Sequence, residues 1–150
     1  MSEARKTMLL LGGTSDIGRA VAAQYAAQGW NIVLTARDTN AGERNAADLR
    51  VRYNANVRVL KFDLLRPEDH ASLLRALDTT PDTVVSTLGV LGDQTRAESD
   101  LAYAREILMA NFEGPALLLG FFAGQMAKRG TGTIVGISSV AGDRGRAVCV

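Results

Sequence analysis

The sequence predicts an α/β domain built on a doubly wound parallel sheet, with strand order 3-2-1-4-5. Three observations predict it. Apolar runs of strand length alternate with segments of helical period from Thr7 to Ile137. The first run opens directly into a glycine-rich turn, Gly12-Gly13-Thr14-Ser15-Asp16-Ile17-Gly18, with a helical pattern behind it. No repeat, low-complexity tract or linker interrupts the alternation, so parallel strands joined by right-handed crossovers are expected. In that order the winding reverses between strands one and four, and a ligand crevice belongs beyond their carboxyl ends.

Each element has its own signal. Thr7–Leu11 reads as a buried strand. Ile17, Ala20, Val21 and Gln24/Tyr25 follow at helical spacing, and Gly29 stops that helix. Asn31–Thr35 is a second apolar strand. Ala41–Asn54 is helical, with Ala46, Leu49 and Tyr53 toward one face. Val57–Phe62 alternates and reads as strand three. Pro67 opens a helix whose buried stripe is Leu73, Leu74 and Leu77. Thr83–Ser86 is strand four. A long helix is expected from about Ser99 to Lys128, striped by Leu101, Ile107, Leu108, Leu118, Leu119, Phe122 and Met126. Pro115 lies inside it, lacks an amide donor, and predicts a kink just upstream, near Asn111. Gly130 and Gly132 end the helix, and Thr133–Ile137 is strand five.

Composition bounds the function. With 150 residues, 47% of them hydrophobic, the chain can bury one domain core. A net charge of +1 gives no reason to expect nucleic acid or an anionic membrane as partner. Cys149 is the lone cysteine, so no internal disulfide forms, which fits a reducing compartment. Met1 to Thr7 is short and polar, unlike a secretory signal. The longest apolar run, Ala116 to Ala123, is too short to span a bilayer. A cytoplasmic protein without a membrane span is expected. His70 is the single histidine, so no metal site is expected.

The glycine turn carries the first chemistry. A glycine permits the tight turn, and the helix N-terminus offers unpaired amides and a positive dipole to a pyrophosphate. A second glycine lets helix and strand approach. Gly12, Thr14, Ser15, Asp16, Ile17 and Gly18 are therefore candidate cofactor-binding residues of a Rossmann-type domain. A plain tight turn is the alternative. The run Leu11 to Gly18 resembles the TGxxxGxG motif of the short-chain dehydrogenases/reductases, with Gly12 and Gly18 as the outer glycines. Leu11 stands where Thr is usual, and Asp16 replaces the middle glycine. A carboxylate at Asp16 either faces the cofactor phosphates unfavourably or caps the helix starting at Ile17.

The resemblance extends to the nucleotide end. An acidic residue at the end of strand two suits the ribose of NAD, and an arginine suits the 2′-phosphate of NADP. Ala36 occupies the acidic position and Arg37 follows, so NADP(H) is favoured over NAD(H). Asp38 could pair with Arg37 and blunt this, or both could be a solvated strand end. Asp63-Leu64 resembles the family's pair at the adenine; a helix cap ahead of Pro67 is the alternative. Ser86-Thr87-Leu88-Gly89 stands where the family has Asn-Asn-Ala-Gly. Gly89 is retained, and the two Asn that brace the sheet are not.

Two segments resemble the family's catalytic end. Gly136-Ile137-Ser138-Ser139-Val140-Ala141-Gly142 places Ser139 at the position that orients the substrate oxygen. Asn111-Phe112-Glu113-Gly114-Pro115 places Asn111 where a helix residue holds a water for proton transfer. Turn chemistry and polar surface are the plain alternatives. The family's Tyr-x-x-x-Lys pair is expected shortly after Ser139, but no Tyr or Lys follows position 139. Residues 1–150 are accordingly read as an NAD(P)-binding domain that is incomplete at its C-terminal side, inactive and marginal alone, with a bare edge at strand five.

The acids Asp93, Glu98 and Asp100 read as a solvated loop and helix start. Arg144 and Arg146 either meet an anionic substrate or lie in a solvated loop. The resemblance implies an oxidoreductase that moves hydride between nicotinamide and a small carbonyl or alcohol, and a homo-oligomer formed through the long helix that holds Asn111. The rival is a truncated or degenerate nucleotide-binding or interaction protein without catalysis.

Overall fold

The computed structural model describes residues 5–139. Val140, Ala141, Gly142, Arg144, Arg146 and Cys149 lie outside the described residues. Five parallel strands are present among them: β1 (Thr7–Leu11), β2 (Asn31–Ala36), β3 (Val57–Lys61), β4 (Thr83–Ser86) and β5 (Thr133–Gly136). They stand in the order β3-β2-β1-β4-β5, as expected of the doubly wound sheet. β1 is central and pairs with both β2 and β4; Leu9 sits beside Val33 on one side and Val84 on the other. That is why Met8, Leu9, Leu10 and Leu11 are all 0% exposed and the strand reads as an unbroken apolar run. β3 lies at an edge, with Val57 and Val59 packed in one core and Leu60 against the other, while Arg58 and Lys61 are exposed.

Successive side chains of the strands feed two cores. Met8, Leu10, Ile32, Leu34, Val57 and Val85 pack against Ala22 and Ala26 of α1 (Asp16–Ala27) and against Ala46 and Leu49 of α2 (Thr39–Tyr53). Leu9, Leu11, Val33 and Val84 face the other way. They meet Leu73 of α3 (Pro67–Ala76) and Leu118, Phe122 and Met126 of α6 (Gly114–Arg129). Burying each such Leu, Met or Phe side chain is worth about 1.5–3 kcal/mol.

The long helix differs from expectation in two ways. A separate helix, α4 (Gln94–Ser99), precedes it, and α5 (Leu101–Leu108) begins after Asp100. Two of the three expected solvated acids are caps: Asp93 accepts from the Arg96 amide at 3.0 Å and Asp100 from the Tyr103 amide at 3.0 Å. The second difference is the expected kink, which takes the form of a π-helical turn, Met109–Glu113, joining α5 to α6. The Gly114 amide reaches back five residues to the Met109 carbonyl. Pro115 brings no amide, so the Asn111 carbonyl lacks the donor a regular helix would supply.

The continuous helical run Leu101–Arg129 is 29 residues, long and apolar enough to cross a membrane by length and composition. Here it is a layer of the domain, with Gly114, Leu118, Phe122 and Met126 buried as one stripe. Its opposite side is apolar yet exposed, including Leu108, Phe112, Leu117 and Phe121. At the far end of the sheet Arg129 clamps the chain. Its guanidinium donates to the carbonyls of Thr80 at 2.6 Å, Pro81 at 2.9 Å and Thr131 at 3.1 Å.

Candidate nucleotide-binding and active site

A cleft of about 410 Å³ opens at the carboxyl ends of β1 to β4, where the winding reverses. The glycine turn forms its floor. Gly12 has φ +92°, a left-handed conformation that glycine adopts without strain. Ser15 caps α1, accepting from the Gly18 amide at 3.0 Å. Gly18 is buried, and a Cβ there would stand 2.5 Å from the Gly12 carbonyl oxygen. Its absence of side chain is what lets α1 rest on the end of β1. The neighbouring strand and helix pin the turn. Thr35 of β2 accepts from the Gly12 amide at 3.1 Å, and Asn45 of α2 donates to the Gly13 carbonyl at 3.1 Å.

The turn offers donors to a phosphate. The amides of Ser15, Gly18 and Arg19 are bonded within the turn. Those of Thr14, Asp16 and Ile17 have no internal acceptor among the described residues. Three free amides at a helix N-terminus, on a cleft bordered by Thr14 and Ser15, form the donor set a dinucleotide pyrophosphate needs.

Of the sequence-predicted residues, Gly12, Thr14, Ser15, Arg37, Asp63, Leu64 and Gly89 border this cleft together. Three do not. Gly18 lies beneath the floor, and Ile17 points to solvent, 55% exposed. Asp16 turns away into a smaller groove between α1 and α2, beside Arg19 at 3.9 Å, with its carboxylate fully exposed. Its side chain is neither the cap, which is Ser15, nor part of the phosphate floor, to which Asp16 can offer only its backbone amide.

At the nucleotide end Asp38 does not neutralise Arg37. Its carboxylate caps α2, accepting from the Asn40 amide at 2.9 Å and the Ala41 amide at 3.3 Å. Arg37 is exposed at the cleft wall and has no carboxylate partner among the described residues. Asp63 does not cap α3. Its Oδ1 accepts from the Leu65 amide at 3.1 Å, while its own amide donates to Asp69 at 2.8 Å. His70 of α3 hydrogen-bonds the Leu64 carbonyl at 2.8 Å. The first turn of α3 thus fixes the Asp63–Leu65 wall, and His70 is a wall brace.

At the catalytic end the Asn111 side chain grips the loop after β4 with both its polar atoms. Oδ1 accepts from the Val90 amide at 2.7 Å and Nδ2 donates to the Val90 carbonyl at 2.9 Å. The Asn111 backbone carbonyl has no amide to meet four residues on, where Pro115 stands. Ser139 is exposed just beyond β5.

One residue of the site was not singled out from sequence. Thr87, beyond β4, donates through its backbone amide to the Leu11 carbonyl at 2.9 Å. Its hydroxyl lies 3.1 Å from the Leu11 carbonyl, 3.0 Å from the Gly12 carbonyl and 3.0 Å from Ser15 Oγ. Where two Asn were missed as braces, a hydroxyl ties strand four to the turn. The signal was available: in a 3-2-1-4-5 sheet the residue after strand four stands beside the turn after strand one.

The family model described as short chain dehydrogenase matches residues 6–150. An uncharacterized oxidoreductase of Streptomyces coelicolor is 38% identical over 145 residues, covering 94% of this chain and 57% of the relative. The NADP-dependent (R)-specific alcohol dehydrogenase of Lentilactobacillus kefiri is 26% identical, covering 91% of this chain and 55% of its own length. A short-chain dehydrogenase from Sphingobium yanoikuyae, solved in complex with NADPH, superposes with a TM-score of 0.87 at 28% identity, over 95% of this chain and 57% of that one. The chain thus spans little more than half of each. The glycine turn, the cleft and the family match over nearly all its residues agree: the chain belongs to the short-chain dehydrogenase family.

Proposed function

We propose that this chain is the cofactor-binding part of an NADP(H)-dependent oxidoreductase acting on a small carbonyl or alcohol. The observation that carries the reading is the cleft. Its floor offers the free amides of Thr14, Asp16 and Ile17, and its wall bears Arg37 with no competing carboxylate. A guanidinium so placed grips a 2′-phosphate with charge-assisted hydrogen bonds. The NADPH complex of the Sphingobium neighbour and the cofactor named for the Lentilactobacillus enzyme support the same choice.

When bound, the nicotinamide supplies or accepts hydride. The chain's own residues do the rest. The turn anchors the pyrophosphate, and the Asp63–Leu65 wall and Leu88 enclose the nucleotide. Ser139 Oγ donates a hydrogen bond to the substrate oxygen, polarising the carbonyl. The Asn111 carbonyl holds a water, while its side chain keeps the loop after β4 in place. Residues 1–150 contain no Tyr-x-x-x-Lys pair. The chain spans little more than half of the relatives it matches, and none of residues 1–150 is assigned the proton donor.

The exposed apolar side of α6 fits a second copy of this chain. No charged residue occurs from Gly114 to Ala127. Leu117 and Phe121, 60% and 41% exposed, stand beside Gly120 and Gly124, whose surroundings are open.

The test uses the natural full-length polypeptide. NADPH and NADH dissociation constants are measured by calorimetry for wild type and Arg37→Ala. One lost charge-assisted bond costs about 1.5–3 kcal/mol, a loss of about ten- to a hundredfold for NADPH, with NADH unchanged. Equal losses for both would refute the NADP assignment. Binding with no turnover on any ketone or alcohol would favour a nucleotide-binding protein without catalysis.

A further inference from the structure

The hydroxyl protons of the cleft have few places to go. Ser15 Oγ accepts the Gly18 amide at 3.0 Å and lies 3.0 Å from both the Gly12 carbonyl and Thr87 Oγ1. Thr87 Oγ1 has three possible acceptors, the Leu11 carbonyl, the Gly12 carbonyl and Ser15 Oγ. Each hydroxyl carries one proton. If Ser15 donates to Thr87, Thr87 donates to a carbonyl. If Ser15 donates to Gly12, Thr87 donates to Leu11, Gly12 or Ser15. In every arrangement both protons stay inside the turn. A hydroxyl without a free proton presents only lone pairs, which a phosphate oxygen avoids.

On the reading that this cleft binds a dinucleotide, we propose that Ser15 and Thr87 are a coupled pair of positioning residues. They hold the glycine turn in its phosphate-binding shape and do not themselves bind phosphate. The phosphate then falls to the three free amides. The pair joins two elements far apart in sequence, so the shape of the turn depends on the docking of β4 beside β1. It also gives the chain's departures a common reason. Leu11, where the family has Thr, is a fully buried core residue, and the hydroxyl reaches the turn from Thr87 instead.

The experiment uses the full-length protein and four variants: Thr87→Val, Thr87→Ser, Ser15→Ala and the Ser15→Ala/Thr87→Val double. Two quantities are read, the calorimetric dissociation constant for NADPH and the melting temperature without cofactor. Thr87→Val should weaken NADPH about tenfold, the worth of one net hydrogen bond, and Thr87→Ser should restore it. Ser15→Ala should match Thr87→Val, and the double variant should be no weaker than the worse single, because the pair acts as one unit. Three results would overturn the pair. NADPH could bind Thr87→Val as it binds wild type, with only the melting temperature reduced. The two effects could multiply, as for Ser15 binding phosphate on its own. Thr87→Ser could fail as completely as Thr87→Val. If Thr87→Val does not fold, Ser15→Ala against Thr87→Ser decides the matter, with an unchanged NADPH affinity in Ser15→Ala overturning the pair. A wild type that binds neither NADPH nor NADH overturns the cofactor reading, and the proposal with it.

Discussion

Adding one methyl group at Gly18 should be costly, and the cost can be worked from the contact distances. A Cβ built there meets the Gly12 carbonyl oxygen at 2.5 Å and Ser15 Oγ at 2.8 Å, where ordinary contact begins at 3.4 Å. The shortfall against the carbonyl is the difference, 0.9 Å. A backbone oxygen at the end of a fully buried strand cannot give that much, so α1 must lift off the sheet. Overpacking of this kind costs about 1–3 kcal/mol, with a backbone clash at the upper end. Alanine's better helix propensity returns at most about 1 kcal/mol. The net loss of about 2 kcal/mol lowers the melting temperature by about 4–8 °C in a domain of this size. Gly42→Ala is the comparator. Its Cβ would meet the Val59 side chain at 2.8 Å and the Ala36 Cβ at 3.0 Å, but never a backbone atom. Val59 is only half-buried in the edge strand β3 and can rotate away, so the loss there should be under about 1 kcal/mol. Thermal unfolding followed by circular dichroism, on the full-length protein without cofactor, measures both. If Gly18→Ala melts within about a degree of wild type, or lower by no more than Gly42→Ala, the close approach of α1 and β1 is not what constrains this position.

Other perturbations test separate parts. Asn111→Asp keeps the acceptor for the Val90 amide but sets a carboxylate against the Val90 carbonyl; turnover should fall at least about tenfold and Val90 amide exchange should quicken, whereas unchanged exchange would refute the latch. Arg129→Ala removes three bonds to backbone carbonyls at the end of the sheet remote from the cleft, and urea unfolding should show a loss of about 1–3 kcal/mol with NADPH affinity unchanged. Asp100 accepts from the Tyr103 amide, and this bond, helped by Arg96, holds its carboxyl below the usual range. Because the folded value is depressed, its stabilising contribution is present above the ordinary carboxylate range and fades as acid carries the pH through the lowered value. Asp100→Asn should flatten that part of the acid unfolding curve, and an unaltered curve would show that the charged cap does not stabilise the fold.

Much of this was legible in the sequence because burial dictates it. β1 and β4 were bounded correctly because a parallel strand covered on both faces must be apolar throughout. Alternation made the strands parallel, and the doubly wound expectation supplied the order, which alternation by itself does not single out. The cleft followed from the order. What the sequence hid was how side chains are spent. Asp38 looked like a partner of Arg37 or a solvated strand end, and Asp93 and Asp100 like no more than a solvated loop and helix start, yet each caps a helix. Asp16 looked like a threat to the phosphates, but the first turn of α1 carries it round to the opposite groove. Thr87 looked like the loss of two braces because its three partners sit more than seventy residues earlier in the chain. No local pattern can announce a contact of that separation. Pro115 did announce irregularity near Asn111, though propensity alone cannot choose between a bend and a turn with wider spacing.

That wider spacing has a consequence for how the chain can be edited. A π turn holds one residue more than an α turn for the same rotation, so Met109–Glu113 is in effect an insertion that the helix has absorbed. Shortening this stretch by a single residue would return its spacing to that of an α turn, with Pro115 still interrupting one hydrogen bond. The buried face of α5 and the stripe Gly114, Leu118, Phe122 and Met126 would keep their alignment, and the core would close as before. Only the grip of Asn111 on Val90 would go. The helix therefore carries a separable unit, one surplus residue that packing does not need, set where the loop after β4 meets the cleft.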